Sequence, residues 1–534
     1  MNATHGKDRR PAEPKLAAPA IALPKGGGAI RGLGEKFAAN PVLGTGAMSV
    51  PIATSPGRSG FGPQLSLAYD SGAGNGPFGL GWSLSIPSIT RKTDKGLPRY
   101  QDAEESDVFL LSGAEDLVPE YAKDANGTWV TENNRPKIRE EMRTENGVTY
   151  RVRRYRPRIE GVFARLERWT NEADPADVHW RAISQENVLT LYGKEALTRI
   201  ADPGDPARIF SWLVCETRDD KGNGIIYHYK SEDGTGVDLG QAHERNRGSR
   251  HDARRTANRY LKRIVYGNRL SLLDADGRRP PFLADERMQS AGWMFEVVFD
   301  YGEHDPARPL PGDAGAWGYR PDPFSTYRAG FEVRTTRLCR RVLMFHHFEG
   351  EEGVGTDCLV RSTDFTYSHA QDPTNARNPV YTLLHAVTQN GYRRDNGGYL
   401  RRSLPPVEFT YSEPIVQDTV QEVDAASLEN LPIGLDGAAY QWTDLHGEGV
   451  SGMLTEQGDA WYYKRNLSSI NVTLANGAAR TEAKFAPMEC VTVTPNSALA
   501  EGAQFMDLAG NGQPDLVVLD GPMPGLYEHD GNEG

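Results

Sequence analysis

The chain has 534 residues, too many for a single hydrophobic core, so two or three domains are expected. Its 57 glycines and 35 prolines favour turns over long helices, while 9 Trp, 22 Tyr and 17 Phe supply core material and exclude a globally disordered chain. The net charge of −12 is concentrated at one end: residues 425–534 hold 4 basic and 15 acidic side chains, which marks a domain boundary and argues against nucleic acid as a partner of that segment.

Residues 1–40 mix Ala, Pro, Gly and Lys without periodicity and predict a flexible leader. The leader is basic, but its apolar stretch is short and broken by proline, so it is no secretory signal. No run reaches the roughly 18 apolar residues of a membrane span. Any export then follows folding in the cytoplasm and uses a non-classical route, a partner or cell lysis. Cys215, Cys339, Cys358 and Cys490 lie far apart, with no C-x-x-C pair, which predicts four unpaired, mostly buried thiols and no zinc site.

From Gly44 the pattern becomes short alternating stretches punctuated by glycine. In LSLAYD, Leu65, Leu67 and Tyr69 face one way and Ser66 and Ala68 the other, the period of a half-buried strand. WLVCETRD, NGIIYHYKS, RYLKRIVYGN, WMFEVVFDYGE, LCRRVLMFHHFEG and LVRSTDFTYS continue it. Residues 41–424 are read as an antiparallel sheet domain, with its longest loops at 234–258 and 268–290. Beyond it the pattern D-L-x-G-x-G appears twice, at Asp444 and Asp507, each followed by a short strand, a turn and an aromatic strand. That repeat predicts β-propeller blades over 425–534. Two blades cannot close a ring of about four or more. The expected propeller is therefore partial, with Leu516, Val518 and Leu519 exposed on an open flank.

Several stretches invite a chemical reading. Gly74-Asn75-Gly76-Pro77-Phe78-Gly79 has dinucleotide spacing, but Pro77 and the strand-like WSLSIPSI deny it the helix that a pyrophosphate needs; chain crossing is the reading kept. Adjacent strand positions point to opposite faces, so His346 and His347 are not expected to share an ion, and one is expected buried, the other exposed. Glu349-Gly350-Glu351 resembles an ADP-ribosyltransferase loop, yet Ser362-Thr363 follows it instead of preceding it; a solvated turn is expected. Gly57-Arg58-Ser59-Gly60 misses the spacing of a serine nucleophile elbow by one place. Asp507, Asn511 and Asp515 fit three positions of a calcium loop, with Ala509 at the fourth, while Asp444 and Glu448 fit the earlier turn less well; the alternative for both is capping of the turn by the aspartate. Tyr150–Arg158 interleaves aromatics with arginines, but Glu140, Glu141, Glu145 and Glu160 nearby predict a charge-paired strand, not a nucleic-acid stripe. No catalytic, cofactor-binding or metal-binding residue is assigned.

The segment GTGAMSVPIATSPGRSGFGPQLSLAYDSGAGNGPFGLGWSLSIPSITRKTDKGLPRY (44–100) resembles the N-terminal signature of the SpvB-type virulence family, which includes the B components of insecticidal Tc toxin complexes. WLVCETRDDKGNGIIYHY, WMFEVVFDYGEHD, FSTYRAGFEVRTTRLCRRVLMFHHF and DLHGEGVSGMLTEQGDAWYYKRN continue the likeness. The resemblance implies an all-β fold: an extended Rhs-like shell followed by the first blades of an FG-GAP-type propeller. It implies a non-enzymatic structural part of a secreted toxin complex, enclosing a protein cargo with a C-type Rhs component and docking on an A-type pentameric channel. Two alternatives stand beside it: the carrier region of a longer toxin with a downstream ADP-ribosyltransferase domain, and an adhesin-like host-binding module.

Overall fold

A computed structural model describes residues 36–40, 45–113, 115–132, 134–159, 164–368, 381–395, 397–411, 420, 422–429, 439–458, 460–475, 478–496, 498–499, 503–508, 513–519 and 524–529. The expected leader falls outside them up to residue 35, while Lys36–Asn40 pair as a strand with Thr45–Ser49. The chain divides into two compact units, Met1–Pro414 and Ile415–Gly534. Among the described residues, no helix is long and apolar enough to cross a membrane.

The first unit is built on one antiparallel sheet of 18 strands. Part of it closes on itself. Ser88–Arg91, Phe109–Leu111, Glu115–Pro119, Val148–Pro157, Arg165–Asn171, Val178–Ile183, Leu189–Tyr192 and Asp205–Arg218 pair in that order, and Ser211–Leu213 return to Ser88–Thr90. The result is an eight-stranded barrel, small enough for side chains to fill its interior. Phe109 lies 5.0 Å from Trp180, 5.7 Å from Trp212 and 5.9 Å from Tyr155, all rings fully buried. The Trp212 indole N–H donates to Val178 O at 2.9 Å. Gly193 has φ +66°, and a Cβ there would stand 2.3 Å from the Trp212 ring, so only glycine lets the chain pass. Alternation predicted the strands; it did not predict closure, which rests on pairing between residues more than a hundred positions apart.

Asp205–Arg218 also begins an open sheet that runs through Gly224–Ser231, Arg259–Asn268, Trp293–Asp300, Arg341–Phe348, Gly355–Tyr367 and Leu384–Asp395 to Gly398–Ser403. On one face, Tyr227, Ile264, Tyr266, Val297, Phe299, Met344 and Phe365 share a core with Val50, Ile52, Leu65, Leu67 and Trp82 of a four-stranded sheet. Leu65 and Leu67 point inward as the alternation predicted. The opposite face carries smaller clusters, such as Val298, Leu343, Phe345 and Leu359. Chain outside the strands lies at 232–258, with two short 3-10 turns, and at 269–292, with one short helix at Asp285–Ser290, near the loops read from the sequence, and also over 301–323, which the sequence reading missed.

In the second unit, Tyr440–Thr443, Gly452–Gln457, Ala460–Lys464 and Glu489–Cys490 form one antiparallel sheet, and Ala503–Met506, Asp515–Val518 and Gly525–Tyr527 another. Leu454, Trp461, Tyr463, Leu516 and Val518 share a core. The expected exposure of Leu516 and Val518 is thus corrected: both are buried, because pairing turns them toward Trp461 and Leu445, while Leu519 is exposed.

Trp212→Ala is expected to remove about 3–5 kcal/mol of stability, the usual cost of emptying a large aromatic site. Urea unfolding of the full chain measures it. A loss below about 1 kcal/mol would show that the barrel interior is not a close-packed core.

Candidate functional site

Where the strand Trp293–Asp300 ends, the chain turns sharply through Gly302, at φ +108°. Asp300, Glu303 and His304 are thereby brought together, buried, with one ligand-type atom from each within 4.8 Å of the others. Among the described residues, no other group of three or more His, Cys, Asp or Glu is so placed. The Lys262 ammonium reaches into it: Nζ donates to Phe299 O at 3.0 Å, to His304 Nε2 at 2.6 Å and to a Glu303 carboxylate oxygen, and faces Asp313 at 3.3 Å. His304 Nδ1 donates to Leu310 O at 2.9 Å, so Nε2 is left as the acceptor that Lys262 uses. Burial first, then the Lys262 charge, lowers the His304 pKa and keeps the ring neutral. Asp300 is taken by Arg341 Nε at 2.5 Å and by the Gly302 N–H at 2.8 Å. An internal ammonium thus contacts two of the three, Glu303 and His304. The centre ties the 301–313 loop to the sheet. The sequence signal was the dense run Asp300-Tyr301-Gly302-Glu303-His304-Asp305, which sequence reasoning passed over as a site.

Three further carboxylates play the same part, Glu244 and Glu232 buried and Glu105 partly so. Glu244 accepts from Arg255 at 2.5 Å, Arg334 at 2.6 Å and the Tyr319 hydroxyl at 2.8 Å, fixing the 232–258 loop. Burial alone would raise its pKa; the bonds from Arg255, Tyr319 and Arg334 outweigh that and bring it down to about 2. Glu232 grips Arg337, whose guanidinium lies 4.2 Å over the Trp317 ring. At the barrel mouth, Glu105 accepts from Arg153 at 2.7 Å, Arg168 at 2.6 Å and Tyr155 at 2.7 Å. Glu105 stands at φ +52°, a left-handed backbone that a non-glycine residue adopts at a cost.

The stretches singled out in the sequence take these places. Gly76 and Gly79 lie in a tight two-residue pairing, where a Cβ would meet Trp82 O at 2.7 Å and Thr382 O at 2.8 Å; the chain continues into strand Trp82–Leu84, not a helix. His346 and His347 do point to opposite faces: His346 Nε2 meets Ser55 Oγ at 2.7 Å, and His347 Nε2 meets Glu296 at 3.0 Å. Both are half-buried, which corrects the expectation of one buried and one exposed: each face is covered here, by Ser55 and Phe295 on one side and Glu296 on the other. Glu349 and Glu351 lie exposed in the turn between Arg341–Phe348 and Gly355–Tyr367. Asp444 caps its own turn, accepting from Glu448 N at 2.8 Å and Gly449 N at 2.6 Å, while the Glu448 carboxylate pairs with Arg465. Asn511 and Ala509 lie outside the described residues, and Asp515 accepts from Leu508 N at 3.0 Å. In the basic strand, Arg151 pairs with Glu172, Arg153 with Glu105 and Glu140, Arg154 with Glu141, and Arg158 with Asp116. Glu160 lies outside the described residues. Cys215, Cys339, Cys358 and Cys490 are all unpaired, and only Cys490 is exposed.

The fold and its centres define a β-sheet scaffold whose strongest polar clusters bind its own loops. The family model of SpvB, the Salmonella virulence plasmid 65kDa B protein, matches residues 40–348, and the chain belongs to this family. Proteins named mono(ADP-ribosyl)transferase SpvB from Salmonella typhimurium and Salmonella dublin are 37% identical over 387 residues, 71% of this chain. The chain spans 58% of the former's length and 57% of the latter's. The solved N-terminal domain of effector protein SpvB from Salmonella typhimurium strain LT2 is 36% identical, with a TM-score of 0.53 over 64% of this chain and 98% of that one. A Photorhabdus luminescens Tc holotoxin pore structure aligns with 98% of this chain and 22% of its own, at 31% identity and a TM-score of 0.71. The TcdB2-TccC3 crystal structure aligns with 94% and 22%, at 31% and 0.69.

Lys262→Ala is expected to cost about 3–5 kcal/mol, since it strands buried carboxylates without their cation. Adding Glu303→Gln should recover part of the loss, and a double-mutant cycle by urea unfolding reads the coupling; strict additivity would show that the pair does not interact. The Glu244 carboxylate has its pKa depressed on folding, so its contribution is complete above pH about 4.5, the unfolded value, and fades as pH falls toward about 2. In Glu244→Gln the stability–pH curve should be flatter across that window than in the parent chain. Parallel curves would refute the assignment.

Proposed function

We propose that the chain is a non-enzymatic wall component of a bacterial toxin complex, with residues 41–424 forming part of a β-shell around a toxic polypeptide and 425–534 supplying the first blades of a propeller that docks on a channel component. The observation that carries this reading is the alignment of 98% of the chain with the Tc holotoxin structure at 31% identity, which takes in both compact units. The physical arrangement suits the task. A hydrogen-bonded sheet holds its shape whatever lies against it, and ionic centres keep the long loops from collapsing onto a cargo. The second unit holds one four-stranded and one three-stranded antiparallel sheet, and in the propeller reading the first would be a full blade and the second part of one. A C-type Rhs component is the natural partner of the open sheet, and the assembly works outside the cell that makes it.

A second reading, the carrier region of a longer ADP-ribosyltransferase, is favoured by the 37% identity to the SpvB enzymes and the match to their N-terminal domain. Mixing the purified chain with a C-type Rhs component separates the two. The shell reading expects a stoichiometric complex on size exclusion and no consumption of NAD by the chain. A chain that stays apart from every such component supports the carrier reading instead. Turnover of NAD abolished by a single substitution would end the non-enzymatic reading.

A further inference from the structure

Between Pro119 and Glu140 the chain leaves the barrel wall and folds back on itself in short antiparallel pairings: Tyr121 with Ile138, Lys123 with Trp129, and Thr131–Glu132 with Arg135–Pro136. Ala122 N donates to Lys137 O at 2.7 Å and Lys137 N to Val130 O at 2.8 Å, so these pairings form one small lobe. No described residue from 121 to 149 is buried. A lobe without a core gains nothing from packing, and small hairpin structures of this kind are marginal in water. It nevertheless holds Trp129 at 51% exposure and Tyr121 at 40%, ring against edge at 6.0 Å. The Lys123 ammonium lies 4.5 Å over the Trp129 ring.

These side chains line a groove of about 720 Å³ together with Glu120, Arg139 and Arg156. Three cations meet one carboxylate there, and that carboxylate already pairs with Arg139 at 3.3 Å. Arg156 is the one arginine of the basic strand without an acidic partner among the described residues, and Lys123 likewise has none. The groove is therefore a cationic site with an aromatic floor on a chain of net charge −12. We propose that it docks an acidic, aromatic-bearing polypeptide segment of a partner protein, with carboxylates on Lys123 and Arg156 and a ring against Trp129 and Tyr121. Charge complementarity selects the acid, and stacking on exposed rings selects the aromatic. A polyphosphate is disfavoured because Asp124, Glu132, Glu140 and Glu141 lie along the same lobe and strand, and a nucleic-acid footprint needs a continuous basic stripe. This inference stands apart from the shell reading: it concerns what the lobe binds, whichever assembly the chain serves.

The test titrates the full chain with a random glutamate–tyrosine copolymer, using polyglutamate, heparin and 3′-sialyllactose as comparison probes. The parent chain is expected to bind the copolymer more tightly than polyglutamate, with affinity falling as salt rises. Arg156→Glu and Lys123→Glu should each weaken copolymer binding tenfold or more. Trp129→Ala should lower copolymer affinity to the polyglutamate level. Melting temperatures should stay unchanged, since the replaced side chains are exposed. Equal binding by parent and variants, or no copolymer binding by the parent, overturns the proposal. So does Trp129-dependent binding of heparin or sialyllactose in preference to the copolymer, which would make the groove a glycan site.

Discussion

The first unit depends on carboxylates, buried or nearly so, that hold cationic, hydroxyl or backbone N–H donors from other parts of the chain. A sheet of this size satisfies its own backbone, but the segments that leave it for twenty residues or more do not. Their polar groups must find partners or stay in water. Glu244, Glu232, Glu303 and Glu105 solve that problem by tying loops to one another and to the strands: Arg334, Lys262, Arg168 and Tyr155 stand on strands, while Arg255, Tyr319 and Arg337 come from the segments between them. A buried ion pair is no great net source of stability, because desolvation offsets much of the attraction. Its effect is to select one arrangement: once a carboxylate has left water, any loop position that loses its partners is heavily penalised. The left-handed backbone at Glu105 is consistent with this, since strain at one residue is held in place by three donors.

This division of labour explains what could be read in advance. Strands announce themselves by alternation, so Leu65 and Leu67, the opposite facing of His346 and His347, and the all-antiparallel character were legible. Glycine spacing around Gly76 and Gly79 told of chain crossing because the missing helix was visible in Pro77. The barrel was not legible. Closure needs Ser88–Thr90 to find Ser211–Leu213, and nothing local in either segment names the other. The ionic centres were hidden for a related reason. Lys262 and Glu303 are ordinary charged residues in sequence, and only the register of two neighbouring strands puts the ammonium against the carboxylate. In the second unit the repeat was visible but the inward facing of Leu516 and Val518 was not, because which face of a lone strand is covered depends on the sheet it meets.

The same network bears on chemistry. A catalytic carboxylate or imidazole needs a lone pair or proton free to meet a substrate, in a cleft that the substrate can enter. At the Asp300 centre those valences are engaged: Arg341 and a backbone N–H hold the aspartate, Lys262 and the Tyr301 N–H hold Glu303, and Lys262 with Leu310 O brackets the imidazole. The lowered pKa of His304 follows first from burial and then from the ammonium beside it, which leaves a neutral ring to accept from Lys262.

A wall fastened in this way leaves its surface free for recognition. Exposed sheet edges invite unwanted pairing, and natural sheets blunt them with charge. The edge strand Glu140–Glu145 follows that rule, with Glu140 and Glu141 exposed and its pairing confined to Val148–Arg153. The lobe beside it departs from the rule by presenting an indole and a phenol among unpaired cations. Rigid scaffold and adaptable surface are thus separated along the chain: the carboxylates turned inward hold the framework, and the arginine and lysine left without carboxylates turn outward. In a protein whose acids outnumber its bases, 72 against 60, cations left unpaired at one groove are the feature that needs a partner to account for them.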